Sequence, residues 1–119
     1  MYKSFPYLLF ALFILHACAP PKDKAERHIP DDIVQFDTMV DIIVDMQLTE
    51  ATLHELKLNG KYDDEIAAEA FGKVFKKYNI NKERYEKSRK FYNENLDVNE
   101  KIYENVIEKL IRLRDETNN

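Results

Sequence analysis

From Pro30 to the C-terminus, apolar residues recur every three or four positions, and no run alternates with period two for more than a few residues. Spacing of that kind lays a continuous stripe along one side of an α-helix, whereas a half-buried strand needs alternation. The pattern predicts an all-α fold, a small bundle of three to four helices whose short loops place neighbours antiparallel. Asp31 and Asp32 can open a short first turn over Ile33–Phe36. A long helix is predicted from Thr38 to Leu58. Met39, Ile42, Ile43, Met46, Leu53 and Leu56 form its stripe, and Val40, Val44 and Leu48 widen it. Asn59-Gly60 stops it, because glycine takes the left-handed conformation past a helix end.

Three shorter stretches follow the same logic. Asp63 or Asp64 caps a second helix over Glu65–Tyr78, with Ile66, Ala67, Ala70, Phe71, Val74, Phe75 and Tyr78 on one face. Asn79-Ile80-Asn81 is a tight break, and Asn81 caps a third helix from Lys82 to Asn93. That helix is the most polar, and Tyr85, Ser88 and Tyr92 are its inward positions. Asp97 with Glu100 resembles a capping box for a fourth helix, Val98–Arg114. Its face is Val98, Ile102, Val106 and Leu110, flanked by Tyr103, Ile107 and Leu113, and residues 115–119 are expected to fray.

The N-terminus carries a different signal. Lys3 precedes a short apolar run, Phe5 to Leu15, and the run ends in Leu15-His16-Ala17-Cys18. A positive start, an apolar stretch and a small residue before a cut describe a secretory signal. A span of the membrane would need about 20 apolar residues. This run is shorter, contains Pro6, and gives way to Pro20-Pro21. Cys18 is the chain's one cysteine, so it has no intrachain disulfide partner. The expected arrangement is that of a bacterial lipoprotein. Residues 1–17 are the cleaved signal, and Cys18 takes a diacylglycerol and becomes the new N-terminus. Residues 18–30 are a flexible, proline-containing tether, and residues 31–114 form the helical domain. Two or more acyl chains give stable anchoring without a transmembrane helix.

Charge and motifs narrow the chemistry. The formal net charge is −4, and loss of Lys3 with the signal makes the mature chain more acidic. Nucleic acid needs a basic face, so it is not an expected partner. Glu83 and Glu86 interrupt the basic residues of the third helix, which reads as a solvated, charge-laced face. The nearest constellation to a catalytic or metal site is Glu50 with His54, four apart on one helix face, and Asp41 with Asp45 four apart further back. Such a pair can hold a divalent metal when a second helix completes the shell. The other helices offer no histidine, so an ordinary pairing of His54 with Glu50 on a solvated face is the simpler account. There is no glycine-rich phosphate loop and no serine beside a plausible base, and lipidation consumes Cys18. No enzyme activity and no cofactor are expected.

One resemblance adds to this reading. Ile29-Pro30, followed by Met39 through Ala51, is similar to the opening of the domain of unknown function 4296 family. In that opening an aliphatic run ends in Asp-x-His/Gln-Leu-x-Glu-Ala, and Asp45, Gln47, Leu48, Glu50 and Ala51 fill those places. The stretch Phe75 to Tyr85 is similar to a second landmark, with Asn79 where glycine is more usual, and Phe91-Tyr92 and Ile102-Tyr103 match a third. The resemblance covers about Ile29 to Leu113. It implies a small Bacteroidota envelope lipoprotein with a helical fold, and it brings no known reaction.

Five residues on a helix rotate by about 500°, so Asp45 and Glu50 do not share a face. Asp45 is therefore expected to fix the fold by accepting a bond from a backbone N–H or a tyrosine hydroxyl. Gln47 and Glu50 are candidates for partner contact. The resulting expectation is an interaction or accessory subunit of an envelope complex, on the periplasmic face of the outer membrane, with acylated Cys18 in the membrane and a protein partner. Two alternatives follow from the same residues. One is a chaperone-like, peptide-binding module with a groove between the long helix and the aromatic second helix. The other is a metal-dependent enzyme using Glu50 and His54.

Overall fold

The computed structural model describes residues 28–118. The signal segment, Cys18 and most of the tether lie outside the described residues. Four helices form: α1 (Phe36–Leu58), α2 (Asp64–Lys77), α3 (Lys82–Asn93) and α4 (Leu96–Thr117). No strand occurs among the described residues. The fold is the all-α bundle that the periodicity predicts. α1 packs against α2 and α4, and α3 packs against α4. The core collects Met39, Val40, Ile42, Ile43, Val44 and Met46 of α1, Val74 of α2, Tyr92 of α3, and Ile102 and Val106 of α4.

The helix ends follow their sequence signals in most places. Asp63 accepts a hydrogen bond from the Ile66 amide at 2.8 Å, and Asn81 does the same for Arg84 at 2.8 Å. Each satisfies one of the amides left unbonded in a first turn. α1 and α2 close alike. Gly60 (φ 67°) and Asn79 (φ 51°) take the left-handed conformation. The next amides, Lys61 and Ile80, donate back to the carbonyls of Leu56 at 2.9 Å and Phe75 at 3.1 Å. This is the bonding of a Schellman end, and Asn79 stands in it where glycine is usual.

Four expectations are corrected. The first turn spans Pro30–Ile33, closed by the Ile33 amide on the Pro30 carbonyl at 3.0 Å, and α1 starts at Phe36 rather than Thr38. Ile33 and Val34 lead from the turn into α1 as a buried leg, and Ile29 also packs against the core, so residues 29 and 30 belong to the packed domain rather than to the expected tether. The Asp97–Glu100 capping box does not form. Asn95 takes the cap position instead, and its carbonyl accepts from the amides of Val98 at 3.0 Å and Asn99 at 2.9 Å. Its side chain meanwhile donates to the Phe91 carbonyl at 2.6 Å, closing α3, so one residue serves both helices and Asp97 falls inside the first turn. Finally, α4 continues through residues 115–117 to Thr117, past the frayed tail expected after Arg114.

The N-terminal leg is fastened to α3 by two buried bonds. The Val34 amide donates to the Ser88 hydroxyl at 2.9 Å, which itself donates to the Arg84 carbonyl at 2.7 Å. The Tyr92 hydroxyl donates to the Val34 carbonyl at 2.7 Å. Both polar groups of Val34 are thereby satisfied by α3 side chains, which is why a serine lies fully buried in the most polar helix. Removing Ser88 strands a buried amide, a loss of about 1–3 kcal/mol. Ser88→Ala and Tyr92→Phe are each expected to lower the urea unfolding midpoint, and a midpoint equal to the parent's would contradict the clamp.

Candidate functional site

The family-motif residues divide between the inside and the outside of α1. Asp45 is half-buried, whereas Gln47, Leu48, Glu50 and Ala51 are exposed. The Asp45 carboxylate accepts from the Tyr78 hydroxyl at 2.7 Å and pairs with the Lys77 ammonium at 2.7 Å. Tyr78 is the residue that caps the end of α2, so this contact ties α1 to the α2–α3 turn. Burial, reinforced by the Asp45 bond, pushes the Tyr78 phenol up to about 12. The bond to Asp45 also raises Lys77 above the ordinary lysine range, and its ammonium lies 5.1 Å from the Tyr78 ring centroid. One turn earlier, Asp41 pairs with Lys109 of α4. The two aspartates therefore staple α1 to both of its neighbours.

On the outward side, Glu50 edges a shallow groove where α1, α2 and α3 meet. Met46, Phe71, Phe75 and Tyr85 form its apolar floor, and Lys82 and Glu86 stand at its rim. The Phe75 and Tyr85 rings pack with centroids 5.5 Å apart. Burial raises the Tyr85 phenol above its ordinary value, and the Glu50 carboxylate adds to the effect while Arg89 opposes it. The exposed His54 lies one turn beyond Glu50. Among the described residues no three His, Cys, Asp or Glu side chains come together as a metal site.

A model of the family described as a domain of unknown function (DUF4296) matches residues 30–116. The chain belongs to that family. Neither the curated proteins nor the solved structures gave a match. The matched segment opens at the Pro30 turn and closes within the last turn of α4, so the family unit is the whole helical domain. Cys18 and the apolar N-terminal run precede it.

Sequence reading missed one member of the groove. Gly72 sits inside α2, and a Cβ built there meets nothing within 4 Å. Among the described residues no contact calls for a glycine at this place, and glycine inside a helix costs roughly 0.5–1 kcal/mol relative to alanine. The signal available beforehand was its position, between Phe71 and Lys73 in the middle of a predicted helix. The result is a bare patch of helix backbone beside the apolar floor, open to close approach. Gly72→Ala is expected to raise the stability of the isolated protein by roughly 0.5–1 kcal/mol. An unchanged or lower unfolding midpoint would contradict the open geometry.

The Asp45 contact has two measurable consequences. Asp45→Ala is expected to cost about 1–2 kcal/mol, with Asp45→Asn costing less because it keeps an acceptor for Tyr78. The raised phenol means that the folded chain keeps a proton which the unfolded chain releases near pH 10. Stability is therefore full below pH 10 and falls as pH rises from about 10 to 12, because the unfolded state then binds fewer protons. In a denaturation series over that range, Tyr78→Phe should flatten the fall. An identical slope in parent and variant would rule out this origin.

Proposed function

We propose that this chain is a non-catalytic, lipid-anchored accessory subunit of a cell-envelope complex concerned with outer-membrane protein assembly or secretion. It is held to the periplasmic face of the outer membrane through acylated Cys18. The observation that carries this reading is the placement of the chain's one cysteine, directly after a short apolar run and Leu15-His16-Ala17, eleven residues ahead of Ile29, where the packed domain begins. An interval of eleven residues reaches at most about 40 Å when extended, so the domain works close to the membrane surface. No described helix is long and apolar enough to cross a membrane.

The domain itself supports a binding role over a chemical one. Its family-motif carboxylates divide into a structural Asp45, engaged by Tyr78 and Lys77, and an exposed Glu50 beside an apolar groove. An aromatic floor with a bare helix backbone at Gly72 and a charge on the rim suits a protein segment laid against it. Glu50 and Gln47 are the side chains that would meet the partner.

The test is a mild-detergent affinity purification from the native envelope, run in parallel on the parent and on Cys18→Ala. The expected result is a stable set of envelope proteins that copurifies with the parent and is lost from Cys18→Ala, which partitions away from the membrane. Recovery of scattered unfolded clients only would replace the subunit reading with a chaperone-like one. Membrane retention of Cys18→Ala would remove the lipid anchor from the account.

A further inference from the structure

The outer face of α4 carries a second apolar stripe that stays largely exposed among the described residues. Leu96, Ile107 and Ile111 are 75%, 57% and 45% exposed, and Tyr103 is 38% exposed. Steps of 100° per residue place Leu96, Glu100, Tyr103, Ile107, Ile111 and Arg114 within about 80° of one another. The buried Ile102 and Val106 that face α1 lie on the adjoining face, roughly 120° away. Tyr103 and Ile107, expected to flank the inward face, belong to this outer stripe instead. Tyr103 is held at its edge by Arg89 of α3, which donates to the phenol oxygen at 2.9 Å and lies over the ring.

Charge along the stripe is self-complementary. Glu100 and Arg114 each lie seven residues from Ile107, on opposite sides of it. Turned end for end about Ile107, the stripe therefore presents acid to base at both ends, Tyr103 to Ile111, and Ile107 to itself. The seven-residue spacing is also the repeat that lets one helix lie along another. A two-fold pairing uses the same patch on both copies and closes on itself. Glu104, one turn from Glu100, adds a second acid near the base of the other copy. In the single chain Arg114 pairs with Asp115 next to it at 2.9 Å, an exposed contact easily exchanged.

We propose that this face docks a second copy of the same chain, two α4 helices pairing antiparallel about Ile107 with Glu100 of each opposite Arg114 of the other. The pairing needs neither the anchor nor the groove beside Glu50.

Sedimentation equilibrium of the full chain in mild detergent, over a wide concentration range, tests it. The parent should fit a monomer–dimer equilibrium, and Ile107→Glu should be monomeric throughout. Glu100→Arg and Arg114→Glu should each weaken the dimer about tenfold, and the double exchange should recover it to within about threefold, since the pair acts as a unit. Far-ultraviolet circular dichroism checks that each variant keeps its helices, with Ile111→Glu taking the place of Ile107→Glu if that one does not. A parent that stays monomeric, a dimer that survives both glutamate variants, or a double exchange as weak as the singles would overturn the proposal.

Discussion

The structure depends on the burial of the first half of α1. From Met39 to Met46 the side chains of Met39, Val40, Ile42, Ile43, Val44 and Met46 are all buried, so this half-helix meets protein around most of its circumference. A helix apolar on most sides must be enclosed, and the rest of the chain is arranged to do that. α2 and α4 pack on it directly, and α3 is added through α4 and through the clamped leg at Val34. Only its acidic positions escape, and Asp41 and Asp45 are each taken up by a lysine of a neighbouring helix.

The second half of α1 is a different object. Beyond Met46 only Leu53 is buried, and the helix runs out along α2, with α3 approaching it at Glu50. Gln47, Glu50 and His54 stand on this emergent half, and the groove with its aromatic floor opens at the junction. One helix thus serves as axis of the core at one end and as display surface at the other. The family motif straddles the boundary, which explains why its two carboxylates have such different surroundings. Asp45 is a joint of the fold, and Glu50 is exposed beside the groove.

Much of this was legible in the sequence because the signals are local. Asp63 and Asn81 cap as their side-chain chemistry dictates, Gly60 and Asn79 end their helices in the left-handed conformation, and Ser88 and Tyr92 point inward as their spacing requires. What escaped depends on contacts distant in the chain or on competition between equal signals. The buried leg at Ile33–Val34 is held because α3, more than fifty residues later, supplies the hydrogen bonds of Val34. Asn95 displaces the Asp97 capping box because it closes two helices at once. Periodicity identifies apolar positions on α4 but not which neighbour covers them, so Tyr103 and Ile107 could not be told from the inward face. The tyrosine partner of Asp45 was foreseeable in kind, and only the fold chose Tyr78.

Hydrogen exchange across the folded chain tests this division of α1 most directly. Amides from Val40 to Met46 should exchange only through global unfolding, with protection equal to the full stability of the domain, because their side chains are enclosed. Amides from Leu53 to Leu58, together with those in the first turns of α2, should open locally and exchange much faster. Uniform protection along the whole of α1, or faster exchange in its first half than in its second, would contradict the account of a buried axis that emerges as a display surface.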